Sequence, residues 1–523
     1  MTSTTSEPYV PFYRRVFRRA FWFRVLFVVV ALLTAIALGY AIENWRGHRA
    51  WKDAKKKLTR TGFIELAALV PPPVPDAQNF AMTPFLKPLF DFLPGTQKWR
   101  NREAVERTLK FGTGFPKLDL WGGFPTGKEI DLRKYAAELS KESSWKGDRG
   151  AVGEETREMA AREILKEMSR LNPILDELRT ASRRLYARFN IRYDNPNAAG
   201  VLLPHLAVLK QAAEILTVQA IAELALGKSE EAFENVSFIL YLADSIHREP
   251  TLIGHLVRIA LFKMAAQVVW EGEAGGRWSE AQYLKMQERF SKFDFVQDLE
   301  RAFRGEQAFG NSLIEYLKIH RDRDEFESMF DVGRDFSSRE LAFRFAPRGW
   351  LELEQVNYHR LFQPLFGICD VSERRVFPGR AHQIQQETER TLTQPGAFWQ
   401  HRLFAGAMIP AVVNGAQRFA YSQTLADQIV TMGALERCRA KTGGYPETLD
   451  LLTPEFLKKI PHDVCDGKPL RYRRKSENAF VLYSVGWNES DDGGIPPPIK
   501  RSSSSSPRLD EGDWVWQSDV HSE

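Results

Sequence analysis

Residues 25–42 read VLFVVVALLTAIALGYAI, eighteen consecutive residues without a charge, extended upstream by Phe21, Trp22 and Phe23 around a single Arg24. At about 1.5 Å per residue, a helix of this length reaches most of the way across a hydrocarbon core of roughly 30 Å, and the Arg24 side chain can snorkel to the interface. Globular helices keep a polar face, which this run lacks, so a buried core helix is the weaker reading. A cleaved signal peptide is weaker still, because the run exceeds an h-region and Glu43-Asn44-Trp45-Arg46 offers no small-residue cleavage site. The stretch predicts one N-terminal transmembrane helix over about 21–42, carrying a large body outside the bilayer core.

Charge is distributed unevenly around this span. Residues 1–60 hold twelve Lys and Arg against three acidic residues, so of the formal net +5 the first sixty residues carry +9 and the remainder −4. The high pI therefore belongs to the anchor region, and no nucleic-acid partner follows from it. Arg14, Arg15, Arg18, Arg19 and Arg24 precede the apolar run, while Arg46, Arg49, Lys52, Lys55, Lys56 and Lys57 follow it. The positive-inside count is nearly balanced and does not orient the span. Residues 43–60 continue as a basic juxtamembrane helix, expected to lie on anionic headgroups or to stand in solvent.

A chain of 523 residues is long for one core, so two or three domains are expected. Residues 61–100 collect Pro71, Pro72, Pro73, Pro75, Pro84, Pro88 and Pro94 and read as a semi-rigid hinge. From 101 to 345 the pattern is that of a helical bundle. Leu206, Leu209, Ala213, Leu216, Ala220 and Leu224 recur at steps of three and four, Gly227 supplies a stop, and Ser229 with Glu230 and Glu231 restarts a helix, which makes a helical hairpin. A third helix after Pro250 carries His255, Arg258 and Lys263, enough charge to exclude a second span. The turn LALGKSEEA at 224–232 is like that of a tetratricopeptide repeat, but no second copy follows at 34-residue spacing, and a plain bundle is favoured. Residues 346–415 read as a mixed connecting region. A helix over 416–441 then stops at Gly443-Gly444-Tyr445-Pro446, and strand-like runs follow at 470–474, 480–484 and 513–516, with a Pro/Ser linker through Pro496–Pro498 and Ser502–Ser506.

No motif identifies a catalytic site. GGFPTGK at 122–128 fits G-x-x-x-x-G-K, but Glu129 stands where Mg²⁺ needs a hydroxyl, and Leu118-Asp119-Leu120-Trp121 is a poor central strand. His320-Arg321-Asp322 matches a kinase catalytic loop by letters only. Neither HExxH, G-x-S-x-G nor a Cys/His metal spacing occurs.

One segment carries a specific likeness. Residues 434–494 contain Tyr445-Pro446, Pro461 with Asp463, Gly467-Lys468-Pro469-Leu470-Arg471-Tyr472, Tyr483-Ser484-Val485-Gly486 and Asp491-Asp492-Gly493-Gly494, in that order. This resembles the C-terminal half of the major pseudopilins of type II secretion, in which a long helix, a Gly-x-Tyr-Pro turn and a small antiparallel sheet end in an acidic loop. With Pro71–Asp76 and Asn79-Phe80-Ala81 included, the whole chain resembles large bacterial single-span membrane proteins that end in such a segment, a family that supplies no activity to carry over. The likeness does not extend to the anchor, where neither the processing Gly nor the Glu five residues into the mature helix is present.

What the resemblance implies is a mainly α protein with a transmembrane helix, a helical-hairpin bundle body and a small C-terminal α+β pseudopilin-like head over 416–523. It also implies a body on the periplasmic side of the bacterial inner membrane, since pseudopilin heads work outside it. In that family the acidic loop holds Ca²⁺, so Ser484, Asn488, Asp491 and Asp492 become candidate calcium ligands, with a solvated Asp-Gly turn as the alternative. The loop bearing Cys465 folds back in that family onto the helix bearing Cys438. That implies either a Cys438–Cys465 disulfide or a buried pair of free thiols, with Cys369 left over. The expected function is a non-enzymatic, membrane-anchored envelope protein that binds another protein or joins an assembly. A tethered small-molecule-binding module and a motif-less hydrolase in the helical body are the alternatives.

Overall fold

The computed structural model describes residues 19–60, 62–117, 129–142, 156–195, 197–320, 345–393, 401–498 and 508–517; the GGFPTGK run and Arg321-Asp322 lie outside them. The chain is mainly helical, 64% helix against 6% strand, so helix packing sets the architecture. Helices are α1 (Arg19–Arg60), α2 (Leu66–Leu69), α3 (Arg102–Leu109), α4 (Leu132–Glu142), α5 (Arg157–Met168), α6 (Asn172–Ala181), α7 (Pro204–Ala225), α8 (Ser229–Ser245), α9 (Leu252–Ala274), α10 (Glu280–Phe290), α11 (Phe295–Leu317), α12 (Arg348–Phe362), α13 (Pro378–Thr393) and α14 (Leu403–Thr442). Strands are β1 (Cys369–Asp370), β2 (Arg375–Val376), β3 (Arg471–Ser476), β4 (Ala479–Ser484) and β5 (Trp514–Gln517).

Three helices are long and apolar enough to cross a membrane, and burial separates them. The apolar window of α1 is wholly exposed, whereas 56% and 72% of the windows in the α7 and α9 segments are buried inside the body. In α9 the charges that interrupt the hydropathy are used internally. Arg258 is buried, donates from Nε to Asp298 Oδ2 at 2.8 Å, and lies over the Phe293 ring at 4.6 Å. The hairpin of α7 and α8 turns at Gly227, whose φ of 75° is open to glycine without strain.

α14 is the spine. At about 1.5 Å per residue, its 40 residues run roughly 60 Å. It packs against α9, α10, α11, α12 and α13, and against β4 and β5. Gly443 ends it in the left-handed region (φ 86°), its N–H donating to Arg439 O at 2.8 Å. β3, β4 and β5 form one antiparallel sheet in that order, with Tyr472 opposite Leu482 and Leu482 opposite Trp516. Gln428 of α14 donates to Trp514 O at 2.7 Å, fixing the sheet to the spine.

One expectation about organisation is corrected. The proline-rich segment 61–100 is not a hinge: Phe80, Ala81, Leu86 and Leu89 are fully buried in a core that runs from Leu66 to Trp516. Its prolines leave short 3-10 turns, and Asn79 replaces the missing backbone partners by donating to Arg188 O (2.7 Å) and accepting from Arg188 N (2.9 Å). The described residues of 346–415 hold α12, β1, β2, α13 and the start of α14.

The basic helix 43–60 does not stand apart. It is the second half of α1 and packs along α12. Gly47 and Gly349 meet backbone to backbone, so that a Cβ on either would overlap main-chain atoms of the other helix. Asn44 Oδ1 accepts from Gly349 N (2.8 Å) and Glu43 Oε2 accepts from Trp350 Nε1 (3.1 Å). Trp51 and Leu58 are buried, Trp51 stacking on His359 at 5.7 Å. Burial holds the His359 pKa down to about 4, so this imidazole is neutral at the joint.

Candidate functional site

A cleft of about 870 Å³ opens where four elements meet: α10, α14, the turn between β1 and β2, and the segment 456–469. Its floor begins with a close helix crossing. Gly433 lets α10 approach α14, since a Cβ there would lie 2.9 Å from Gln287 Cγ. Gln287, buried, then clamps three segments: its Nε2 donates to Val430 O (3.1 Å) and Phe456 O (3.2 Å), and its Oε1 accepts from Arg437 Nη1 (2.9 Å). A side chain with all these bonds made inside the protein is a fixed support.

The wall is built by the β1–β2 turn. Arg374 sits at φ 52°, turned so that Nη2 donates to Asp427 Oδ1 at 3.2 Å, while Gln423 Nε2 donates to Asp427 Oδ2 at 3.2 Å. Burial raises the Asp427 pKa, and the Arg374 charge opposes that rise. His462 Nε2 lies 3.2 Å from the Arg374 carbonyl, which accepts, and Val376 N donates to Val464 O at 2.9 Å, so the turn and the 456–469 segment move as one. Arg374, Arg375, Arg437, Lys458 and Lys459 line the cleft against Glu288, Glu373 and Asp427. With Asp427 engaged by Arg374, the opening is basic. Lys458 and Lys459 are exposed at its rim and form no ion pair among the described residues. Leu284, Val430, Phe456, Leu457 and Ile460 supply apolar wall between the charges.

The residues singled out in sequence fall elsewhere. Ser484 is buried and turned inward, bonding the Asp463 carboxylate and accepting from Gly486 N at 3.1 Å. Asp491 Oδ1 accepts from Tyr483 Oη (3.1 Å) and Gly493 N (3.0 Å), and its other oxygen lies 3.8 Å from Arg471 Nε. Asn488 donates to Asp492 Oδ2 at 3.0 Å. A guanidinium beside Asp491 opposes a dication electrostatically, and Ser484 faces a different carboxylate, so these four residues do not fit a calcium site. Among the described residues no group of three or more His, Cys, Asp or Glu side chains is placed to hold a metal. The loop is instead tied by Asp513, which accepts from Asp492 N (3.2 Å) and Gly494 N (2.6 Å).

The Cys438–Cys465 bridge is not formed, and all three cysteines are free, buried thiols. Cys438 lies in the last turns of α14 with Thr442 Oγ1 3.9 Å from its sulfur. Cys465 sits in the tight turn capped by Asp463, which accepts from Cys465 N at 3.0 Å. Burial, reinforced by Asp463, pushes the Cys465 thiol well above its ordinary range, and burial pushes Cys369 up to about 12. Both are thereby inert as nucleophiles at neutral pH.

A smaller hollow of about 310 Å³ lies beside Trp278, Tyr283 and Glu436. Its carboxylate is already committed: Tyr445 donates to Glu436 Oε1 and Arg439 to Oε2 at 2.7 Å.

Set against known proteins, the chain matches no family model, no curated protein and no solved structure. The reading of the cleft therefore rests on its own chemistry. Sequence inspection missed it because its walls are drawn from residues 284 to 469; the one local signal was the pair of dibasic steps, Arg374-Arg375 and Lys458-Lys459.

Proposed function

We propose that this protein is a membrane-anchored, non-enzymatic binding protein whose basic cleft takes an acidic segment of a protein partner. The observation that carries this reading is the pairing of an immobile floor at Gln287 with a rim of uncommitted cations at Lys458 and Lys459. Alternating apolar wall and cationic rim suits an extended chain in which Asp or Glu alternates with Leu or Phe. The cleft is open, with no enclosed cavity around it that would expel water from a reacting small molecule.

In this reading α1 is a single span of the bacterial inner membrane, the N-terminus faces the cytoplasm, and the body stands in the periplasm with its pseudopilin-like end at the far end of α14. Topology is tested by fusing alkaline phosphatase after Glu523; a stably made but inactive fusion refutes the periplasmic placement. The partner is tested by a photo-crosslinking residue placed at Ser372 or Leu284 on the cleft wall in native membranes. The crosslinked peptide should be rich in Asp and Glu, and a neutral or basic peptide would refute the reading.

A further inference from the structure

We propose that the end of the body carrying Phe345 is a second membrane contact, seated at the boundary between headgroups and acyl chains of the bilayer that holds α1. This inference rests on the reading of α1 as a membrane span. α1 is continuous from its apolar run into the body, so depth can be counted along it. From Ile42, the last apolar residue of the run, to the Gly47–Gly349 crossing is five residues, about 7.5 Å at most if the helix is upright. The headgroup layer on one side of a bilayer is roughly 5–7 Å deep. The start of α12 therefore lies at the outer edge of the headgroups if α1 is upright, and within them if it tilts. Phe345 goes deeper, because Tyr40, inside the apolar run, donates its hydroxyl to the Phe345 carbonyl.

The side chains at this end match that depth. Phe345 is 62% exposed and Trp45 63%. Single exposed apolar residues are ordinary, but these two lie where the body meets α1, whose Tyr40 and Asn44 bond the Phe345 carbonyl and Gly349 N. Tyr40 and Trp45 are the residue types that favour the interface. Arg46, half exposed, and Arg49, 5.5 Å over the Trp45 ring, add cations at headgroup level. The contact would fix the body's pose on the bilayer at a second point, so that the cleft is presented at a set angle and height.

The test uses the full chain in vesicles of phosphatidylcholine and phosphatidylglycerol, with one introduced cysteine carrying an environment-sensitive fluorophore. The native thiols are buried and stay unlabelled in the folded protein. A label at Phe345→Cys should be quenched at least twofold by lipid carrying a nitroxide high on the acyl chain. A label at Leu451→Cys, exposed on the head, should not respond. Leu32→Cys, in the apolar run, reports the span itself through a deep nitroxide. Quenching at Leu32 without quenching at Phe345 overturns the second contact and leaves the anchor standing. No quenching at Leu32 overturns both.

Discussion

Replacing Gly47 by Val should undock the anchor from the body without disturbing the membrane segment. A Cβ at 47 would overlap the carbonyl group and Cα of Gly349, all main-chain atoms, so no side chain can swing aside and the helices must part. Overpacking of this kind costs about 1–3 kcal/mol. Parting the helices also breaks the bonds of Asn44 to Gly349 N and Glu43 to Trp350, each contributing about 1 kcal/mol. The total, about 3–5 kcal/mol, raises the open population roughly a hundredfold to several-thousandfold, at about 1.4 kcal/mol per tenfold. Trypsin reads that population directly, because Arg49, Lys52 and Lys55 are cleavable only when this helix opens, and cleavage tracks the open fraction when reclosing is fast. The assay is release of the body from membranes by dilute trypsin. Gly39→Val is the control, since nothing lies within 4 Å of the added group. A change in release rate below threefold for Gly47→Val would refute the idea that this crossing holds the body.

Four further outcomes follow from the same structure. Burial pushes the Glu271 pKa up to about 7, with the Gln267 and Ile130 bonds and Arg157 opposing, so the folded chain binds a proton that the unfolded chain loses near 4.5. Stability from this group is full below that value and is lost as pH rises through about 7, so Glu271→Gln should gain on the parent by on the order of 3 kcal/mol between pH 4.5 and 8; parallel melting curves across that range would contradict it. His255 and His359, both held down to about 4 by burial, act in the opposite sense. Their contribution is full above about 6.5 and lost toward pH 4, and His359→Gln should flatten the acid limb of the same curves. Asp463→Ala should destabilise the head by about 3–5 kcal/mol, because it removes the acceptor for Cys465 N, Val485 N and Arg471, and hydrogen exchange in β4 is the measurement. Thiol labelling of denatured, unreduced protein should count three cysteines.

What was legible from sequence was written locally. The uninterrupted apolar run, the Gly443 stop and the strand-like run at 480–484 each depend on neighbours within a few residues, and each lies where it was expected. The docking of 43–60 was not legible, because its reason sits at Gly349, three hundred residues away; read alone, Arg46 to Lys57 suits a helix on anionic headgroups or one in solvent. The proline-rich segment misled for a related cause. Proline density signals stiffness, but Phe80, Leu86 and Leu89 between the prolines decide that this stretch belongs to the core. By resemblance Asp491 and Asp492 invite a cation, but Arg471, distant in sequence, stands beside Asp491. The cleft needed tertiary structure entirely, since Gln287 gains its role only by touching Val430 and Phe456.

The binding reading stands or falls on charge at the cleft. With the full chain in nanodiscs, fluorescence anisotropy of a labelled peptide alternating Glu with Leu and Phe measures it, beside the same peptide with Gln for Glu. Saturable binding of the acidic peptide is expected, weakening as salt rises and falling at least tenfold for Lys458→Glu with Lys459→Glu. Equal binding of the Gln peptide, or no loss in the double variant, would contradict the account.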